Sequence, residues 1–310
     1  MRGDSTMANA LPKTGMIPGS WRPYYELCKP KVVALLVFTA IVGMLLAVPG
    51  MVPIQPFVLG TLGIGLASAA AAALNHVVDR EADARMKRTD RRPLPSGALD
   101  IRRSVAFAAV LAALAMFILA AGVNVLTAVL TFGSMIGYAV VYTLWLKRAT
   151  PQNIVIGGAA GAMPPVLGWT AITGEVHAHA LLLFLIVFIW TPPHFWALAL
   201  HKRDEYASVE IPMLPVTHGV ELTRLHIWLY TVLLFIVTLL PYLVGMAGIV
   251  YLLGAIGFGA RFLQHAWRLW RHNESGQAIR TFLFSITYLM GLFGALMIDH
   301  YLPLVLQLFD

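Results

Sequence analysis

Asn75, Asp79 and Asp83 recur at every fourth position in the stretch NHVVDREADARMKRTDRRPLPSG of this 310-residue chain. On a helix, an i, i+4, i+8 series drifts only ~80° around the axis while rising about 12 Å. The three side chains would form a stripe of oxygen ligands. Oxygen donors suit Mg²⁺, which usually takes one or two carboxylates, keeps waters and shares the phosphate oxygens of a substrate. Arg85, Lys87, Arg88, Arg91 and Arg92 follow directly, and guanidinium forks match phosphate geometry. An acidic stripe beside a row of cations is what a magnesium–diphosphate complex requires. The competing reading is a solvated loop laced with salt bridges. Asn75 and Asp79 speak against it, because they end an apolar run, where ionisable groups are costly.

Three other stretches carry candidate chemistry. HKRDEYASVEIPMLPVTHG places Asp204, Glu205 and Tyr206 after a second apolar run. Two acidic helix ends facing each other could hold two Mg²⁺ around one diphosphate; alone, the second cluster reads equally as a charged interfacial loop. YAVVYTLWLKRATPQN offers Tyr142, Lys147 and Arg148, either to complete a diphosphate clamp or to anchor a helix end. FIWTPPHFWALALHKRDEY carries Trp190, Phe195 and Trp196, whose faces could line an apolar channel or shelter an allylic cation; an interfacial aromatic belt is the plainer alternative. His194, just after Pro192-Pro193, sits where a polar side chain needs a partner. A hydrogen bond to a neighbouring helix, a haem ligand and a catalytic role all remain open.

These residues need elements to hold them. The chain is 59% hydrophobic and only 12% charged, about half the charge of a soluble domain, which makes it an all-α polytopic membrane protein. Its single cysteine, Cys28, excludes an internal disulfide or a thiolate metal cluster. Nine spans of roughly 20 residues are expected, near 32–49, 54–76, 104–121, 124–146, 153–172, 179–200, 226–245, 247–268 and 280–298. The fifth, GGAAGAMPPVLGW, is rich in Gly, Ala and Pro and should be kinked or closely packed. The eighth is the weakest, with Arg261 and His265 in its second half, where they could snorkel. Residues 1–25 read as a disordered N-terminal tail, 26–300 as one transmembrane domain and 301–310 as a short C-terminal tail. No signal peptide is evident.

Lys and Arg test the count. Five precede the first span, eight separate the second and third, two the fourth and fifth and three the sixth and seventh; the last four cluster around the connection between the eighth and ninth. The alternate connections carry none, so parity puts both acidic clusters and the N-terminus on the cytoplasmic side and the C-terminus outside. The formal charge of +7 is thus topological and not a nucleic-acid signal.

NHVVDREADARMKRTDRRPLPSG resembles the N-x-x-x-D-x-x-x-D motif of the UbiA superfamily of intramembrane prenyltransferases. With YTLWLKRATPQNIVIGGAAGAMPPVLGW, WTPPHFWALAL and DEYASVEIPMLPV, the chain is similar to that superfamily's haem-farnesylating branch over about residues 25–300. The resemblance implies a nine-helix UbiA-type bundle in the cytoplasmic (inner) membrane. It implies a reaction joining farnesyl diphosphate and haem b to give haem O, with Mg²⁺ as cofactor. A downstream haem A synthase or terminal-oxidase assembly would receive the product. By position, Asn75, Asp79 and Asp83 become the first metal motif, and Arg88, Arg92 and Lys147 diphosphate ligands. Glu205 and Tyr206 stand where the family usually has an Asp-Tyr pair, and His194 falls on its Pro-His-Phe element. One departure matters: the second D-x-x-x-D motif of other superfamily members is missing, since Glu210 is the next acid after Asp204 and Glu205. Glu205 would bind a second metal directly or through water.

Two other readings compete. A prenyltransferase acting on a quinone precursor would share the acidic stripe, but PPHFWALAL and EIPMLP argue against it. A transporter or non-catalytic haem-binding membrane protein would place its acids near the bilayer midplane or pair histidines across facing helices. His194 and His201 share one helix.

Overall fold

The computed structural model describes residues 20–272 and 275–306. Most of the expected N-terminal tail, 1–19, and residues 307–310 lie outside the described residues.

Helices account for almost all of the rest. α1 (Arg22–Leu27) and α2 (Pro30–Leu46) each begin with proline in the first turn, where its missing N–H costs nothing. Lys29 turns the chain between them in a left-handed conformation at φ 47°. α3 (Ile54–Arg85) is the longest element. α4 (Ile101–Gly122) is capped by Asp100, which accepts from the Arg103 amide at 2.7 Å. α5 (Val125–Ile136) is capped by Asn124, which accepts from the Thr127 amide at 2.8 Å. α5 continues through a π-helical segment, Gly137–Leu146, into α6 (Lys147–Ala149).

The fifth span is two helices, α7 (Asn153–Ala162) and α8 (Pro164–Thr173), broken at Met163 before Pro164-Pro165. α9 (Ala178–His201) runs through Pro192-Pro193. The short α10 (Arg203–Ala207) and α11 (Leu214–Thr217) lead to α12 (Gly219–Val237) and α13 (Leu240–Leu243). α14 (Ile249–Arg271) and α15 (Gln277–Leu306) complete the described chain.

Eight of the described segments are long and apolar enough to cross a membrane. With the 17-residue α2, about 26 Å long, they match the nine spans expected. Boundaries differ at several helix ends. α3 continues nine residues past position 76, the last helix runs on through 301–306, and α12 begins at Gly219 instead of 226. Hydropathy marks where apolar residues stop; the helical hydrogen-bond ladder continues wherever neighbouring helices accommodate the polar face. The weak eighth span is one unbroken helix. It buries Tyr251, Ala255, Gly259, Phe262, Ala266 and Leu269 on one stripe while Arg261 stays exposed.

Small residues set the helix spacing. A Cβ on Gly43 of α2 would lie 2.1 Å from the Pro165 carbonyl oxygen of α8, and one on Gly168 of α8 would lie 2.0 Å from that of Ala40. Backbones touch at both points, as small residues permit in membranes. α9 is the central element, packed on α7, α12 and α15. Outward faces carry Val110, Phe117, Leu144 and Leu253, the surface a lipid-facing bundle presents.

Candidate active site

The stripe is helical and inward-facing. Asn75, Asp79 and Asp83 lie on α3 and are at most 4% exposed. Burying carboxylates demands compensation, and two cations provide it. Lys147 donates to Asp79 Oδ2 at 2.6 Å and Arg92 to Asp83 Oδ2 at 2.7 Å. Arg92 gets there because the loop after α3 folds back: the Thr89 hydroxyl donates to the Asp83 carbonyl at 2.9 Å. Both Nδ2 protons of Asn75 are engaged, with Asp79 Oδ2 at 2.9 Å and Thr143 Oγ1 at 3.3 Å, and its Oδ1 accepts from the Lys29 ammonium. Burial, reinforced by Arg92, pushes the Lys29 amine down to about 7.

The π-helical segment aims three residues at this cluster. Thr143 donates to the Tyr138 carbonyl five residues back at 2.8 Å. The rings of Tyr138 and Tyr142 stack with centroids 5.5 Å apart, and both line the same cavity. Such wide turns recur at functional sites. Gly157 makes room: a Cβ there would lie 2.2 Å from the Tyr142 ring.

Together these side chains close the polar end of a cavity of about 790 Å³, within the usual range for a ligand site. Asn75, Asp79, Asp83, Arg88, Arg92, Tyr142, Lys147, His194 and Tyr206 all line it. Trp190, Phe195, Leu198, Phe282, Ile286 and Met290 form its apolar wall. Burial raises the Tyr206 phenol above its usual range. His194 is bound through Nδ1 to Ser285 Oγ at 2.6 Å and stacked on Trp190 at 4.2 Å.

The other candidates stand apart. Asp204 and Arg148 are exposed and do not line the cavity. Glu205 pairs with Lys202 at 2.7 Å, while its Oε2 is buried without a partner. Arg85, Lys87 and Arg91 are solvent-facing. Trp196 packs edge-on against Tyr230 in the core and does not line this cavity.

Lys29, Tyr138, Thr143 and Ser285 escaped the sequence reading. Lys29 counted only as a topology charge, although the Lys-Pro pair just before a span marks a turn. The Tyr138–Tyr142 spacing was a usable signal; nothing in the sequence singles out Ser285.

The oxygen set fits a hard cation. Each aspartate uses only Oδ2 in the pairs above, so Oδ1 of both is left to coordinate. No group of three or more His, Cys, Asp or Glu side chains forms a closed metal cage among the described residues. Two carboxylates completed by ligand phosphates and waters is the Mg²⁺ habit.

Residues 36–289 match the UbiA prenyltransferase family. The protoheme IX farnesyltransferase of Methylococcus capsulatus (strain Bath) is 59% identical over 300 residues, 97% of this chain and all of that protein. The protein of the same name from Hahella chejuensis is 59% identical, covering 93% of this chain and 96% of its own length. That of Shewanella sediminis is 60% identical, covering 91% and 93%. The fold is shared with a solved digeranylgeranylglyceryl phosphate synthase (TM-score 0.76, 19% identity, covering 90% of this chain and 98% of that one). It is shared too with a UbiA homolog from Archaeoglobus fulgidus bound to DMAPP and Mg²⁺ (TM-score 0.61, 17% identity, covering 88% and 99%).

Proposed function

The chain belongs to the UbiA prenyltransferase family, and from that premise we propose that it transfers the farnesyl group of farnesyl diphosphate to a vinyl group of protohaem IX, forming haem O and releasing diphosphate. The observation that carries the reading is the polarity of one cavity. Ion pairs of the buried Asp79 and Asp83 with the partly buried Lys147 and Arg92 close one end, and an aromatic and aliphatic wall forms the rest. The naming of three relatives at 59–60% identity supports the choice of acceptor.

Asp79 and Asp83 would hold Mg²⁺, with Asn75 beside them, and Glu205, once released from Lys202, would serve a second ion directly or through water. Bound Mg²⁺ supplies positive charge to the leaving diphosphate. Lys147 and Arg92 exchange their acidic partners for diphosphate oxygens, and Arg88, which lines the cavity, joins them. Lys29, which lines the same cavity, adds a further donor that holds the bound diphosphate. The C1–O bond breaks with its electron pair leaving on diphosphate. The haem vinyl π-electrons attack the allylic cation; water then adds to the vinyl-derived cation and loses a proton, leaving a hydroxyl. Tyr138, Tyr142 and the aromatic wall exclude bulk water until the carbon–carbon bond has formed.

The charged end faces the cytoplasm, within the inner membrane, and a haem A synthase or oxidase-assembly protein takes the product. The test is membranes incubated with farnesyl diphosphate and either haem b or 4-hydroxybenzoate, with products read by mass spectrometry. Haem O from the first mixture is expected; prenylated benzoate alone would overturn the assignment.

A further inference from the structure

We propose that Ser285 holds His194 in the tautomer whose proton is on Nδ1, and that the bare Nε2 is thereby presented to the cavity as a ligand for the iron of the haem substrate. The inference rests on the haem acceptor proposed above and adds the group that grips it.

The argument begins with one hydroxyl proton. Ser285 Oγ lies 2.6 Å from the Phe282 carbonyl oxygen and 2.6 Å from His194 Nδ1. A serine hydroxyl has a single proton to give, and a carbonyl oxygen can only accept. If Ser285 donated to His194, its oxygen and that of Phe282 would face each other at 2.6 Å with no proton between them. If Ser285 donates to Phe282, Nδ1 must carry a proton and donate to Oγ. Only the second arrangement satisfies both contacts.

The other ring nitrogen follows. Among the described residues Nε2 has no hydrogen-bond partner, and it is not one of the sealed polar atoms that lack one; since His194 lines the cavity, that accessible nitrogen is its face toward it. A second proton there would leave an unpaired N–H and a charge among aromatic rings, which is costly. The ring is therefore neutral, with its free lone pair in the cavity.

Its position is held from several sides. Trp190 stacks on it at 4.2 Å and an interplanar angle of 21°, and the Phe282 ring lies 4.5 Å away. Trp190 Nε1 also donates to the Ser285 carbonyl at 2.8 Å, tying α9 to the same turn of α15. Ser285 is fully buried and His194 nearly so. An imidazole whose Nδ1–H is held by an oxygen, leaving Nε2 bare, is the arrangement that metal-ligating histidines adopt.

The kind of metal follows from what is missing. No cluster of three or more ligating side chains surrounds this nitrogen among the described residues. A free ion would want several protein ligands. A haem brings four nitrogens of its own and needs one axial donor. His194 lies seven residues from the charged end of α9, about 10 Å of helix. A macrocycle held there by its iron keeps its periphery, where the vinyl groups sit, free to reach the acidic end.

The test uses the full chain, purified in detergent, with ferrous haem b and no prenyl diphosphate. Wild type should bind five-coordinate haem with an iron–histidine stretch in the resonance Raman spectrum. His194→Ala should lose that band, and added imidazole should restore it. Ser285→Ala should keep the band at a shifted frequency, with haem affinity about 10-fold weaker; Ser285→Thr should restore both. Binding of a non-hydrolysable farnesyl diphosphate analogue reports that each variant is folded. An unchanged iron–histidine band in His194→Ala, or wild-type affinity and frequency in Ser285→Ala, would overturn the proposal while leaving haem farnesylation standing. Wild-type protein that neither binds nor farnesylates haem overturns both readings.

Discussion

Lys147 donates to Asp79 at 2.6 Å across 68 residues of sequence, joining the middle of the acidic stripe on α3 to the end of the fourth span. Both side chains are largely withdrawn from solvent. The pair links stability to chemistry, because the carboxylate that the resting protein neutralises with lysine is the one proposed to hold metal.

Asp79→Ala should insert into membranes at a normal level and lose at least about 10²-fold in turnover, the scale on which removed transition-state charge stabilisation is felt. Haem O measured against the amount of membrane-inserted protein checks this. Near-normal product would remove Asp79 from metal binding.

Lys147→Met leaves Asp79 charged and unpaired, and breaking a buried pair costs about 3–5 kcal/mol. The double variant Asp79→Asn/Lys147→Met should regain most of that stability and none of the activity. Thermal unfolding of the purified single and double variants, set beside turnover, separates the two roles. Equal stability of all the variants would show that the pair contributes nothing to the fold.

Gly157→Ala should disturb the site without touching a charged group. Its Cβ would meet the Tyr142 ring at 2.2 Å, whereas one on Gly161 of the same helix meets nothing within 4 Å. Overpacking of this kind costs about 1–3 kcal/mol. Displacing Tyr142 should raise KM for farnesyl diphosphate in Gly157→Ala and leave Gly161→Ala near wild type. The same KM in both variants would deny Tyr142 a place at the substrate.

Lys29→Gln removes the ammonium that holds the Asn75 amide oxygen. Binding of the diphosphate should weaken more than the chemical step slows, so KM for farnesyl diphosphate should rise with kcat reduced less. Steady-state kinetics over a range of prenyl diphosphate concentrations reads the split. A pure kcat effect would place Lys29 in the bond-breaking step instead.

Chelation should stop the reaction, and Mg²⁺ added back should restore it, because the two free carboxylate oxygens need a cation to engage an anionic diphosphate leaving group. Full turnover in excess chelator would count against the whole scheme.

Much of the architecture was legible in the chain. Long apolar runs, the alternation of Lys- and Arg-bearing connections and the four-residue spacing of Asn75, Asp79 and Asp83 are local patterns. The structure brings Asp79, Lys147 and Tyr206 to one cavity, as the parity of the connections required. The break at Met163 was likewise signalled by Pro164-Pro165. Helix ends were less legible, since α3 keeps its backbone ladder beyond its last apolar residue.

What the sequence by itself determined is therefore the class, the order of the spans and the end of the bundle where the candidate site residues gather. Hydropathy and helical period are properties of a residue and its near neighbours. Only the tertiary structure decided which cation meets which acid, that Lys29 joins them, that Asp204 and Arg148 stay outside and that Ser285 faces His194. Those pairings depend on how each helix is rotated and how closely its neighbour approaches. Here that is governed by backbone contacts at Gly43 and Gly168, the room left by Gly157 and the wide π-helical turn before Lys147. Such contacts join residues far apart in the chain, so no local spacing encodes them.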